Sequence, residues 1–320
     1  MKMLKRALLV GIDRYDNMSP LQGCVNDVDA LHPLLAKNEN RSPNFDCQVR
    51  KAPKDRVDRR SLLSDLKALF APGADVALFY FAGHGEQKQS DVVIATQDGA
   101  YPELGMALST ILGLVQDSKV QEVLIILDCC YAGGAGGVPQ LGSNVAALRS
   151  GVSILSASRG DQTAAETEKG RGLFSSYLCE ALKSGAADVL GKVTVASVFT
   201  YVSESFGPWR QRPMFKSNVD RLHELRLCSP WVPIAEVRLL PKIFQRQDSS
   251  LPLDRSYEPS VRPRNKEHEA IFAILQKCRA AKLVEPVGTE HMYYAAMLKK
   301  KCRLTPLGRH YWRMAKEGRL

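Results

Sequence analysis

Two uninterrupted apolar runs, Val76-Ala77-Leu78-Phe79-Tyr80-Phe81 and Val123-Leu124-Ile125-Ile126-Leu127, limit what this chain can fold into more than any other feature. A half-exposed strand alternates apolar with polar residues. These runs offer no polar face, so each must be a strand covered on both sides, as in a parallel sheet between helix layers. Both end in short strings rich in glycine and reactive side chains: Phe81-Ala82-Gly83-His84-Gly85 after the first, Asp128-Cys129-Cys130-Tyr131-Ala132-Gly133-Gly134 after the second. If the strands are parallel neighbours, histidine and cysteine leave the sheet together at its carboxyl edge, where open α/β folds place their binding sites. Adjacent cysteines point to opposite sides of an extended chain, so at most one of Cys129 and Cys130 faces such a site.

The rest of the first 229 residues fits the same plan. Strand-like segments at 6–12, 46–51, 75–82, 122–128, 152–157 and 213–218 alternate with helix-like segments at 26–37, 55–70, 104–116, 173–184 and 194–206. This order predicts an α/β domain over residues 1–229, with a mostly parallel six-stranded sheet covered by helices on both faces. Val92-Val93-Ile94-Ala95 reads as a short extra strand after the histidine, and the small-residue stretches 133–137 and 143–151 as a flexible working loop. Residues 230–263, rich in proline and arginine, read as a linker, and residues 264–320 as a small basic helical module.

A chain of 320 residues with 45% apolar and 24% charged residues is ordinary for globular protein. The amino terminus, Lys2, Lys5 and Arg6 before Ala7-Leu8-Leu9-Val10-Gly11-Ile12, imitates a signal peptide but stops at Asp13, and it reads as the first strand. No segment approaches the roughly 20 apolar residues that span a bilayer, so the expected location is the cytoplasm, without membrane contact. Eight cysteines lack the spacing of a zinc site or a disulfide scaffold. The formal charge of +10 is concentrated at the carboxyl end: from residue 231 onward there are 18 Lys and Arg against 9 Asp and Glu.

A cysteine nucleophile needs a nearby base and hydrogen-bond donors for the oxyanion of a tetrahedral intermediate. Cys130 and His84 supply the first two, and the amides of Gly85 and Cys130 are candidate donors. Taken singly, a loop histidine and a buried cysteine are more often structural. Two strand ends that each carry half of such a dyad inside a glycine-rich turn are not.

Tyr80-Phe81-Ala82-Gly83-His84-Gly85 and Asp128-Cys129-Cys130-Tyr131-Ala132-Gly133 resemble the histidine and cysteine boxes of caspase-fold peptidases, most nearly the metacaspases and prokaryotic caspase-like proteins. Supporting strings are Leu21-Gln22-Gly23-Cys24-Val25-Asn26-Asp27, Ser156-Ala157-Ser158, Gly172-Leu173-Phe174 and Gln211-Arg212-Pro213, and the resemblance covers roughly residues 4 to 225. It implies a cysteine endopeptidase with Cys130 as nucleophile and His84 as general acid and base. It also implies a first specificity pocket lined by Asp27 and Asp128, hence cleavage of protein substrates after Arg or Lys; Ser156 and Asp161 are further substrate-binding candidates. Asp27 has an alternative reading as a helix cap. Ala82 stands where the family often has serine, and Tyr131-Ala132 where it often has His-Ser. The resemblance further implies a regulated protease of a stress, cell-death or antiphage pathway, with self-cleavage candidates at Arg149, Lys169, Arg171, Arg246 and Arg255. No organic cofactor is expected, no metal site is visible, and calcium activation stays open. A catalytically silent scaffold acting through its tail is the other reading.

Leu304-Thr305-Pro306-Leu307-Gly308-Arg309-His310-Tyr311-Trp312 resembles the end of winged-helix domains. Such a module would bind a regulatory protein or, on its basic surface, nucleic acid; the modest charge surplus favours protein.

Overall fold

The computed structural model describes residues 3–88, 91–129, 148–157, 170–207 and 213–320. The chain divides into two compact units, Met1–Ala187 with Lys192–Cys228, and Asp188–Gly191 with Ser229–Leu320. In chain order the first contains β1 (Lys5–Ile12), α1 (Cys24–Ala36), β2 (Phe45–Ala52), α2 (Arg59–Leu69), β3 (Val76–Gly83), β4 (Gly85–Lys88), β5 (Asp91–Ala100), β6 (Glu103–Ala107), α3 (Leu108–Asp117), β7 (Glu122–Cys129), β8 (Val152–Ser156), α4 (Leu173–Glu180), β9 (Lys192–Thr194), α5 (Val195–Phe206), β10 (Met214–Asn218) and β11 (Glu224–Leu227).

Six of these strands form one sheet in the order β10-β8-β7-β3-β1-β2, parallel except for β10. Alternation along each strand feeds two cores. Leu8, Val10, Phe79, Phe81, Ile125 and Leu127 pack with α2 and α3 on one face. Leu9, Leu78, Tyr80, Leu124 and Ile126 pack with α1, α4 and α5 on the other. The continuous apolar runs are thus buried on both sides, as their composition requires. Two devices seat the helices. Gly11 lets α1 lie directly on β1, since a Cβ there would come within 2.5 Å of the Cys24 carbonyl oxygen. Asp58 accepts the Ser61 amide at 2.7 Å and caps α2, so this helix starts later than residue 55.

Segment 104–116, expected as one helix, begins as β6 and turns helical only at Leu108. The alternating partners Val93↔Ala107, Ile94↔Met106 and Ala95↔Gly105 draw its first residues into a small sheet with β4 and β5, tertiary pairing overriding helical spacing.

The second unit contains α6 (Ile234–Val237), α7 (Leu240–Ile243), β12 (Ser250–Pro252), α8 (Lys266–Ala280), β13 (Val284–Val287), α9 (Met292–Met297), β14 (Lys301–Leu304) and α10 (Pro306–Lys316). Residues 230–263 are therefore not a linker. Val232, Val237, Leu240, Phe244, Leu253 and Tyr257 are buried with Phe272, Leu275 and Trp312, and β12 pairs with β14 in a three-stranded sheet. The indole of Trp312 donates to the Phe244 carbonyl at 2.8 Å. The module read as helical also contains strands: α8 is followed by β13 and α9 by β14, and α10 starts on the Thr305 hydroxyl that accepts the Gly308 amide at 3.0 Å.

Phe244→Ala is expected to destabilise the second unit by about 3–5 kcal/mol through the cavity it leaves, measurable by denaturant unfolding followed through tryptophan emission. A residue in a solvated tether would leave the transition where it was.

Candidate active site

β3 and β7 are parallel neighbours whose register pairs Ala82 with Asp128 and Gly83 with Cys129. The residues that directly precede His84 and Cys130 are thus side by side at the carboxyl edge. Cys130 itself lies outside the described residues, as do Asp161 and Lys169. Cys129 is buried and turned into the α2–α3 core, so it is not a residue of the carboxyl-edge site.

His84 is held on three sides. Its backbone amide donates to the Tyr15 hydroxyl at 2.7 Å, its carbonyl accepts the Ala95 amide at 2.9 Å, and its ring lies 4.9 Å from that of Tyr15. Imidazole Nε2 sits 2.8 Å from the Ser19 carbonyl oxygen. A carbonyl only accepts, so Nε2 carries the proton and a neutral ring keeps its lone pair on Nδ1. Burial drives the Tyr15 hydroxyl far above the usual phenol range, so it stays protonated. Gly85, the oxyanion candidate, opens β4 opposite Ile94.

Asp27 and Asp128 meet on the other flank, on the sheet face covered by α1 and α4. Asp27 is buried on the first turn of α1, and its carboxylate accepts the Ser175 hydroxyl, the Gly172 amide at 3.2 Å and Arg171 Nε at 3.4 Å. Asp128 Oδ2 accepts the Tyr80 hydroxyl at 3.2 Å. A Cβ on Gly172 would stand 3.1 Å from Asp27 Oδ2 and 3.2 Å from Asp128 Oδ2, so both carboxylates converge on this one backbone position. Burial raises Asp27 above the ordinary carboxylate value, against the pull of Ser175, Gly172 and Arg171. Burial, reinforced by the charge of Asp27, pushes Asp128 up to about 7.

The helix-cap alternative for Asp27 takes an unforeseen form. The residue that serves the start of α1 is Asp13, which accepts the Cys24 amide at 2.9 Å and that of Val25 at 3.4 Å, while Asp27 reaches across to the start of α4. Ser156 stands apart from the acidic pair: it pairs with Leu127 on the α2–α3 face, and its buried Oγ has no hydrogen-bond partner among the described residues. Arg149, expected in a flexible loop, is a strut. Its guanidinium donates to the carbonyls of Val115, Val120 and Ser150 at 2.8 Å each. Arg246, paired with Asp248, and Arg255 lie on the folded second unit. Among the described residues no three His, Cys, Asp or Glu side chains group to hold a metal ion, and no helix is long and apolar enough to cross a membrane.

Reading the sequence missed Tyr15, Ser19, Asp13 and Ser175. The first three sit in the loop between β1 and α1, where no periodicity marks them; Ser175 was visible only as three residues past the Gly172 that opens α4.

Residues 4–223 match the family model described as Caspase domain. The chain belongs to this family. It is 25% identical over 154 residues to metacaspase-1 of Schizosaccharomyces pombe, covering 42% of this chain and 35% of the relative. It is 29% identical over 156 residues to metacaspase-2 of Trypanosoma brucei brucei, 42% of this chain and 43% of the relative. The matches thus span well under half the length of these curated relatives. Caspase-1 of Spodoptera frugiperda superposes with a TM-score of 0.52 at 15% identity over 71% of this chain and 91% of that one, a likeness of fold. A Geobacter sulfurreducens protein does the same, with all of its chain covered. The sheet order and the two helix layers described above are those of this caspase-like α/β fold.

In this caspase domain the folded chain keeps on Asp128 a proton that the unfolded chain, with an ordinary carboxyl near 3.8, has already released. Stability therefore falls as pH rises from that value through about 7. Asp128→Asn is expected to raise the melting temperature more at pH 8 than at pH 5; an equal gain at both would disprove the assignment.

Proposed function

We propose that this chain is a cysteine endopeptidase that cuts protein substrates after Arg or Lys, with Cys130 as nucleophile and His84 as acid and base. The observation that carries the proposal is the β3–β7 register, which sets the predecessors of these two residues beside each other at one sheet edge. The Cys130 sulfur attacks the scissile carbonyl carbon as its proton passes to imidazole. The tetrahedral intermediate collapses with loss of the amine, which takes the proton from His84, and water then hydrolyses the thioester. The Ser19 carbonyl holds Nε2–H and steadies the ring while it is charged. The amides of Gly85 and Cys130 are the proposed oxyanion donors. No step calls on a metal or cofactor.

The acidic pair supports basic specificity. An arginine or lysine side chain between Asp27 and Asp128 would find two carboxylates in a largely desolvated place, where a charge-assisted hydrogen bond is strong and an acidic side chain is rejected. The second unit, with Tyr293, Tyr294 and Leu298 exposed on and just after α9, is proposed as a winged-helix-like module that recruits a regulatory protein.

Peptide reporters with Arg, Lys, norleucine or Asp at the cleavage position test this directly. Cleavage is expected after Arg and Lys only, with Cys130→Ala and His84→Ala each lowering kcat/KM by about 10³-fold or more; robust cleavage after Asp overturns the basic specificity. The ratio of kcat/KM for the arginine over the norleucine reporter cancels the titration of the dyad. It should rise as pH passes through about 7, where Asp128 ionises, and should be flat in Asp128→Asn.

Tyr15→Phe removes the acceptor of the His84 amide while keeping the ring. Its expected effect is a fall in kcat of about tenfold with KM little changed, the signature of a misplaced acid–base group rather than of weakened binding.

A further inference from the structure

The acidic pair already holds a cation of its own. Arg171, directly before α4, places Nε 3.4 Å from Asp27 Oδ1, with the arginine side chain 23% and the aspartate 4% exposed, so the pair opens outward on its cationic side. Two further contacts of the guanidinium are weak. Nη2 lies 3.5 Å from the Ser175 carbonyl oxygen and 3.3 Å from the Cys179 sulfur, the first at the limit of a hydrogen bond and the second to a poor acceptor. Asp27 supplies a charged anchor for this side chain. Asp27 itself is fixed independently, by the Ser175 hydroxyl and the Gly172 amide, and would stay in place if the arginine swung away.

We propose that Arg171 is the resident counter-ion of the Asp27–Asp128 pair and a specificity-determining residue of the site, which an incoming Arg or Lys side chain must displace to bind. This rests on the reading that the pair receives basic side chains. With Arg171 in place the Asp27 carboxylate is paired, so the empty site is spared an unpaired buried charge. A substrate cation competes for the same Asp27 oxygen, because two guanidinium groups cannot share it without their own repulsion. Arg171 thus lowers affinity for basic side chains and leaves affinity for neutral ones unchanged. Selectivity is set by a three-body balance rather than by the two acids alone.

The test uses the full chain carrying Cys130→Ala and a peptide ending in arginine amide, with the citrulline peptide as its neutral counterpart, bound in a calorimeter. Adding Arg171→Gln is expected to tighten the arginine peptide by about tenfold and to leave the citrulline peptide where it was, while Arg171→Lys keeps the parent affinities. On the chain with Arg171 intact, the Arg171 Nε–H resonance should shift on saturation with the arginine peptide. That measurement stands even if the glutamine variant fails to fold. An unchanged or weaker arginine Kd in folded Arg171→Gln, or an Nε–H signal that ignores bound peptide, overturns this proposal and spares the basic-pocket reading. Absence of arginine-peptide binding to every folded variant removes both.

Discussion

The parallel pairing of β3 with β7 is the constraint on which everything else in the first unit rests. Two strands whose central runs, residues 76–81 and 123–127, are apolar on both faces have to lie in the interior of the sheet, and once they are neighbours their register is set by which side chains enter which core. Phe79, Phe81, Ile125 and Leu127 go to one face; Tyr80 and Ile126 go to the other, and Asp128 follows them. A slip of one residue would send Asp128 into the α2–α3 core and Cys129 towards α1 and α4. The pattern that buries the core therefore also positions the acid.

Holding two carboxylates behind a sheet edge is costly, since each loses hydration and each repels the other. The molecule meets this with short-range donors from three elements: Tyr80 from β3, the Gly172 amide and Ser175 from the start of α4, and the Arg171 guanidinium. None of these alone compensates a buried charge. Asp128 consequently balances between its two protonation states near neutrality, held there by burial and by Asp27 rather than by any one hydrogen bond.

How legible was this in the residues alone? The six sheet strands and most helices of the first unit could be read from apolar runs and local periods, and His84 and Asp128 because they stand at or beside the ends of such strands. Tyr15, Ser19 and Arg171 act through contacts between segments far apart in the chain, which no local pattern records. The proline-rich stretch misled for a specific reason. Pro241 occupies the first turn of α7 and Pro252 the end of the edge strand β12, two places where a missing N–H disturbs no ladder. Proline there is compatible with a packed unit, and the buried Val232, Phe244 and Leu253 outweigh it.

The loop from Asp13 to Gly23 has a consequence for how the molecule comes together. One end of it ties down the amides that open α1, its middle supplies the hydroxyl and carbonyl that orient His84, and its far end is Gly23, whose left-handed backbone starts the helix bearing Asp27. One short stretch thus serves two places at once. A nick or insertion within it would disturb the seat of His84 and the start of the helix that carries Asp27 together, so the proposed proton transfer and the proposed side-chain recognition share one fate in evolution and in damage.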